Sequence, residues 1–374
     1  MSEADEIEDI TNAAGTGAVD FPKGLNIAGS ASGIVGITQT VSTTEPSFPS
    51  NGDTWYDPVN YVYYVRINNE WKAFLGSPPA VGSQGDRGVF IGGSQATTPI
   101  GAANQTMDYI SISTTGNAVD FGDMVQEANN HKGGASNKIR GVIMGGSYGS
   151  TTTKINNIQY LTFASSGGTQ DFGDLSANTY HICSTSDSTY GLGWGGYTSS
   201  PLNTIRYITI ATTSNSSDFG DATIAARKST GLDEATRNIK AGGELSNGDP
   251  INNIDYVTVA TPGNATDFGD LTAASEHGSS GSDLTRGVIN RGTELDYITM
   301  ATTGNATDFG DSLYSGVASS GASYNGRLCM AGGGNYTSGI NIHYVTIQTL
   351  GNSLDFGDLT LTRLSLGSCS GNAA

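Results

Sequence analysis

The residues whose types could do chemistry are carboxylates set three apart around an aromatic, four histidines and three thiols. The run Asp308-Phe309-Gly310-Asp311, within ATTGNATDFGD, contains the three letters that hold magnesium in some phosphotransferases. That chemistry also needs a glycine-rich nucleotide loop, a phosphate-pairing lysine and a separate catalytic loop, and the sequence has none of them. His131, His181, His277 and His343 stand at scattered, non-equivalent repeat positions. They read as loop or strand-surface residues rather than zinc ligands or general bases. Cys183, Cys329 and Cys369 lack metal-ligand spacing and read as buried free thiols.

The tetrapeptide Asp-Phe-Gly-Asp occurs six times, beginning at Asp120, Asp171, Asp218, Asp267, Asp308 and Asp355. A motif repeated at intervals of 51, 47, 49, 41 and 47 residues is architecture rather than a catalytic centre. Its aromatics, Phe121, Phe172, Phe219, Phe268, Phe309 and Phe356, read as core residues packed between units. A tyrosine precedes each copy by 11 residues: Tyr109, Tyr160, Tyr207, Tyr256, Tyr297 and Tyr344. Around these tyrosines the chain alternates (MDYISI, IQYLTF, IRYITI, IDYVTV, LDYITM, IHYVTI), the pattern of a strand covered on both faces. An earlier strand in each unit, RGVFIGG at Arg87 and its counterparts, ends in a glycine pair that the backbone needs for a turn or a close approach. The paired aspartates have two readings. They brace turns by accepting backbone N–H groups, or they supply oxygen ligands to calcium.

Between the glycine pair and the tyrosine the chain takes 16, 14, 11, 13, 5 and 11 residues, and length varies little elsewhere. These loops should therefore be exposed on one face. Residues 94–106, 147–157, 197–204, 244–253 and 334–341 are the candidate binding loops, with Tyr148, Tyr197 and Tyr336 as their aromatic contacts. Six units of three or four short strands cannot bury their apolar faces alone, so they must stack. Asp358 plus 16 is the last residue, where a seventh unit would begin its arginine strand. Segment 359–374 is then the piece that the first unit lacks, and should pair with it to close a ring without edges. The expected fold is all-β, a six-bladed propeller over residues 87–374.

Ahead of it, residues 1–45 read as an acidic tail and extended arm, 46–77 as a small meander with strands at Asp53–Tyr56, Tyr61–Ile67 and Glu70–Phe74, and 78–86 as a linker. Formal charge is −18, from 35 acidic and 17 basic residues, without a basic stripe, which argues against nucleic acid and anionic membranes as partners. No apolar run approaches a membrane span, and the opening MSEADEIEDI is unlike a secretory leader.

The apolar strand ending in Gly-Gly, the variable loop, the tyrosine strand and the later aromatic resemble the kelch family of β-propellers, with the six phenylalanines in the place of that family's tryptophan. The closing arginine of the kelch unit is matched only at Arg227 and Arg363. Most such propellers bind partners. More narrowly, units reading YITIATTGNATDFGDLT are similar to those of virion structural proteins of tailed bacteriophages, cyanobacterial ones included. The stretch from Gly52 to Phe74, with Trp55, Tyr56 and Trp71, resembles Gly-Asp-x-Trp-Tyr modules near the attachment end of phage fibres. The resemblance implies a non-enzymatic tail-fibre or appendage protein located in the virion. Its N-terminal region would attach to other virion proteins, and its propeller would meet a host-surface glycan or protein, in a homo-oligomer such as a trimer. A collar or decoration protein without a receptor role is the alternative, and a glycan-active enzyme the third.

Overall fold

A computed structural model describes residues 39–41, 52–57, 62–67, 70–74, 85–95, 103–129, 134–149, 153–233, 236–283, 285–334 and 339–372. The acidic tail, most of the arm and the linker as far as residue 84 lie outside these, as do His131 and Tyr336. The chain divides into two compact units, Met1–Ala80 and Val81–Ala374.

The first unit holds one more strand than the expected meander. Thr54–Asp57, Val62–Ile67 and Glu70–Phe74 pair antiparallel in sequence order, and Gln39–Val41 adds alongside Thr54–Tyr56 in parallel. Trp55 is buried; it stacks on Tyr64 at 4.5 Å and meets Trp71 edge-on at 5.7 Å. These aromatics form the core of a sheet too small to build one from aliphatic residues. Trp55 and Trp71, expected as attachment residues, are therefore occupied with each other. The side chain of Tyr56 lies outside the described residues.

The second unit is all-β and propeller-like: among the described residues it has no helix and contains six four-stranded antiparallel sheets. Each runs through strands a, b, c and d in spatial order. In that order sheet 2 holds Ala135–Ser136, Arg140–Tyr148, Thr153–Thr162 and Gln170–Asp174, and sheet 3 holds Cys183–Ser186, Tyr190–Trp194, Leu202–Thr209 and Ser217–Ala226. Sheet 4 holds Thr230–Asp233, Arg237–Glu244, Pro250–Thr258 and Thr266–Ser275, and sheet 5 holds Ser280–Ser282, Arg286–Asn290, Glu294–Thr299 and Thr307–Asp311. Sheet 6 holds Ser319–Tyr324, Arg327–Gly332, Asn341–Thr346 and Leu354–Asp358. Sheet 1 takes b, c and d from Arg87–Ile91, Asn104–Ser111 and Val119–Ala128, and its strand a from the other end of the chain. Gly367–Gly371 pairs antiparallel with Arg87–Ile91, as expected of the C-terminal segment, and Arg363–Leu364 pairs with Ser94–Gln95.

Buried apolar residues form six clusters, each shared by two neighbouring sheets. Val89, Phe121, Leu161 and Phe163 join sheets 1 and 2; Phe309, Leu328 and Val345 join sheets 5 and 6. The cluster of Phe90, Ile110, Cys329 and Phe356 joins sheet 6 to sheet 1. Both faces of strand c are thus covered, which explains its apolar alternation. Each motif phenylalanine is at most 3% exposed and meets its own tyrosine edge-on at 5.9–6.3 Å.

Asp-Phe-Gly-Asp is not a turn. All six copies lie in strand d, where the register against strand c slips across the motif: Asp308 faces Asp296 and Gly310 faces Leu295, leaving Phe309 as a bulge. A bulge turns one side chain inward, here the phenylalanine, while Asp308 and Asp311 stay exposed. The glycine is fixed by its neighbour in the next sheet. Gly310 has φ +143°, and a Cβ there would stand 2.5 Å from the Gly351 carbonyl oxygen. The same close approach recurs at all six copies, including Gly357 against Gly116, which joins sheet 6 to sheet 1.

Candidate functional site

The second aspartate of each copy uses its backbone rather than its carboxylate. The Asp311 N–H donates to Asn352 Oδ1 of the next sheet at 3.0 Å, as Asp174 does to Asn215, Asp221 to Asn264, Asp270 to Asn305 and Asp358 to Asn117. Gly168 replaces the asparagine at the remaining seam, and there the Thr169 N–H donates to the Asp123 carbonyl. Of the first aspartates, Asp171 accepts from Asn157 and Asp267 from Asn253. Among the described residues, no three His, Cys, Asp or Glu side chains gather as metal ligands would.

The residue just before each tyrosine carries a signal that the sequence reading passed over. Asp108, Gln159, Arg206, Asp255, Asp296 and His343 are all at most 4% exposed. Each reaches the residues that follow Asp-Phe-Gly-Asp in the preceding sheet. Asp255 accepts from Thr223 N and Oγ1, Asp296 from Thr272 N and Oγ1, and Asp108 from Thr360 N and Oγ1. Gln159 exchanges two bonds with the Gln126 backbone, Arg206 approaches Ser176 Oγ at 3.5 Å, and His343 Nδ1 lies 3.4 Å from Ser312 Oγ. The buried carboxylates are also paired: Asp108 with Arg363 at 2.5 Å, Asp255 with Lys240 at 3.2 Å and Asp296 with Arg291 at 2.8 Å.

Most of the chemistry-bearing residues are therefore built into seams. The three thiols are buried, and burial pushes each up from its ordinary range, away from the reactive thiolate. Gly145-Gly146-Ser147-Tyr148-Gly149 has the spacing of a nucleophile elbow. Ser147, however, is buried in strand b of sheet 2 and its hydroxyl bonds Asn129 Oδ1 at 2.5 Å.

The histidines depart from expectation. His181, His277 and His343 are buried rather than on strand surfaces, and His181 and His277 are equivalent, each seven residues after the second aspartate. Lys228, Ala318 and Ser365 share that offset, and all five are left-handed, with φ between 54° and 64°. One hydrogen bond links each to the next: Lys228 N–H to His181 O, His277 to Lys228, Ala318 to His277 and Ser365 to Ala318. Five non-glycine residues in this region cost strain, offset by a backbone bond to the neighbouring sheet at each step. The fixed offset was present in the sequence; its meaning depends on the fold.

Below this chain of bonds the a strands line a cavity of about 50 Å³ with Ser136, Ser184, Thr230, Ser280, Ser320 and Ser368. Hydroxyls and main chain link them in turn: Ser136 N to Ser186 Oγ, Ser186 N to Asp233, Ser282 Oγ to the Asp233 carbonyl, Ser282 N to Ser323 Oγ, Ser370 Oγ to the Ser323 carbonyl and Ser136 Oγ to the Ser370 carbonyl. Small polar side chains fit here because the six strands crowd together.

At the same end lies a polar and aromatic cluster, because strand a begins where strand b ends: Tyr180 bridges Tyr197, the residue after the Gly195-Gly196 pair. The two rings meet edge-on at 5.5 Å, and Tyr180 lies 4.3 Å from His181, which in turn is 5.0 Å from His277. Lys154 Nζ stands 5.5 and 5.2 Å from the Tyr180 and Tyr197 ring centres, and the Arg227 guanidinium 4.6 Å from that of Tyr197. Arg227 and Lys228 both pair with Glu244, and Lys228 also reaches Glu276 at 3.2 Å. Burial opposes the charge on Glu244, but bonds from Glu276, Lys228 and Arg227 outweigh it and hold its carboxyl at about 2. Burial first, then the bond shared with Glu244, raises Glu276.

Of the expected contact tyrosines, Tyr197 thus belongs to a cluster on the variable-loop end. Tyr148 projects there from sheet 2, 42% exposed, on the strand pair that brings Ser147 opposite Lys154. A scan against protein-family models finds no match for this chain, and a search of the curated proteins finds none either.

Proposed function

We propose that the chain is a non-enzymatic recognition protein: a six-bladed, kelch-like β-propeller, closed by its C-terminal segment and carried on a virion by its N-terminal region as a tail fibre or appendage. The carrying observation is the segregation of roles within each repeat. The backbone N–H groups of the second motif aspartates, the motif phenylalanines, the buried carboxylates and most arginines are spent on seams, while the loops that vary in length all leave the b–c end. Closure is supported by the repetition, between sheets 6 and 1, of contacts found at interior seams: Asp358 with Asn117, Thr360 with Asp108 and Arg327 Nη1 with the Ile112 carbonyl. The virion context rests on the sequence resemblance of the repeat and of the Gly52–Phe74 module.

In this reading the b–c face meets a glycan or protein on a bacterial surface. Labelled full-length protein should bind host cells saturably, and exchanging loops 147–157 and 197–204 should abolish binding without lowering Tm. Absence of binding by the intact protein favours a collar or decoration role instead.

A further inference from the structure

The variable-loop end contains a concentration of positive charge that the chain as a whole does not lead one to expect. Only 17 of 374 residues are Lys or Arg, against 35 Asp and Glu, yet Lys154, Arg227 and Lys228 converge with two carboxylates between them. Glu244 is paired by Arg227 and Lys228, and Glu276 meets Lys228. Lys154 has no carboxylate within 4 Å among the described residues; its ammonium is held against the Tyr180 and Tyr197 rings instead. Those tyrosines are half-buried, and it is their rings that meet Lys154 and Arg227. A cation half-removed from water and fixed on two ring faces, with no carboxylate within 4 Å among the described residues, attracts an anion more strongly than a surface lysine does. Two phenolic hydroxyls beside it offer both donors and acceptors, which suits a ligand rich in hydroxyl groups.

From this geometry we infer a binding site for a carboxylate-bearing sugar, of the uronic or sialic acid class, at Lys154, Tyr180, Tyr197 and Arg227. Lys154 takes the carboxylate. The tyrosine hydroxyls bond the ring hydroxyls, and Arg227, anchored to Glu244, holds the Tyr197 ring in place. The site draws on strand c of sheet 2 and both ends of sheet 3, so it requires those sheets to be neighbours. It deepens the recognition reading above by naming the ligand class.

Titration calorimetry of the full chain with an oligoglucuronate, an uncharged oligoglucose of the same length and sodium sulfate tests the inference. Saturable binding of the oligoglucuronate alone is expected, weakened at least tenfold by Lys154→Ala and by Tyr197→Ala and reduced by added salt. Lys154→Arg should retain most of it. Equal binding of the uncharged sugar, equal binding of sulfate, or unchanged affinity in Lys154→Ala overturns the inference, as does no binding of either the oligoglucuronate or a sialylated oligosaccharide titrated in the same way. Cell binding separates the two readings: if Lys154→Ala still binds host cells as wild type does, this site fails while receptor recognition stands.

Discussion

Replacing Asp108 by alanine probes the seam between the two ends of the second unit. Its carboxylate is fully buried and accepts from Thr360 Oγ1 at 2.5 Å, Thr360 N at 3.1 Å and Arg363 Nη2 at 2.5 Å. Arg363 is itself fully buried, and its remaining bonds go to the Gly92 and Thr106 carbonyls. Removing the carboxylate leaves a guanidinium buried without a counter-charge, which costs about 3–5 kcal/mol. At roughly 2–4 °C per kcal/mol for a domain near this size, Tm should fall by about 6–20 °C. Urea unfolding followed by tryptophan fluorescence, with circular dichroism as a second probe, measures the loss as a lower midpoint at constant slope. Asp255→Ala, which removes the acceptor of Thr223 and Lys240 between sheets 3 and 4, should cost a similar amount. The exposed Asp120→Ala should change stability by less than about 0.5 kcal/mol. Asp108→Ala with Arg363→Met should cost less than the sum of the single changes, because the stranded charge is gone. If Asp108→Ala costs under about 1 kcal/mol while Asp255→Ala shows its full effect, sheets 6 and 1 are not joined as interior sheets are.

Three further outcomes follow from the same contacts. Gly310→Ala should destabilise by more than an ordinary surface change, at least about 1–3 kcal/mol, since φ +143° and a Cβ 2.5 Å from the Gly351 oxygen force the neighbouring turn to move; a thermal melt within 1 °C of wild type would remove the close-approach argument. Phe309→Ala should cost about 3–5 kcal/mol as a cavity mutation, whereas Asp308→Asn should be nearly neutral in calcium-free buffer and in added calcium alike; a calcium-dependent difference in Tm between Asp308→Asn and wild type would restore the metal reading. Burial depresses His343 from its ordinary value near 6.5 to about 4. The unfolded chain therefore binds the proton first as pH falls, so this contribution is complete above about pH 6.5 and is lost between there and pH 4, by roughly 3 kcal/mol. His343→Gln should lose less stability than wild type between pH 7 and 4.5 in parallel urea titrations, and identical pH profiles would contradict the buried-neutral assignment.

Strands b and c were legible because each carries a chemical regularity that is local. The Arg-strand, the tyrosine 11 residues before Asp-Phe-Gly-Asp and the glycine pair recur at nearly fixed offsets, and period-two alternation follows from sheets covered on both faces. The place of the C-terminal segment was legible too, because the first unit lacked one piece and the last residues supplied it. Other features had no local signature. The a strands, such as Ser280-Gly281-Ser282, have no apolar alternation because they line a hydroxyl-rich cavity rather than a core. The extra strand Gln39–Val41 in the first unit is too short and polar to announce itself.

The sequence by itself determined that this chain is built of six β units around repeated phenylalanines, because repetition and spacing are properties of the chain alone. Only the tertiary structure decided that Asp-Phe-Gly-Asp is a bulged strand rather than a turn. Its glycine is dictated by the carbonyl of another sheet, some 40 residues away at Gly310 and Gly351 and some 240 residues away at Gly357 and Gly116. The same holds for the residue before each tyrosine: Asp, Gln, Arg or His can stand there because its partner belongs to a neighbouring sheet and varies with it. Of Lys154, Tyr180, Tyr197 and Arg227, the sequence marked only Tyr197, as a loop aromatic, and Arg227, as a repeat arginine; the four become a cluster because sheets 2 and 3 bring their b–c ends together, a proximity that no spacing along the chain encodes.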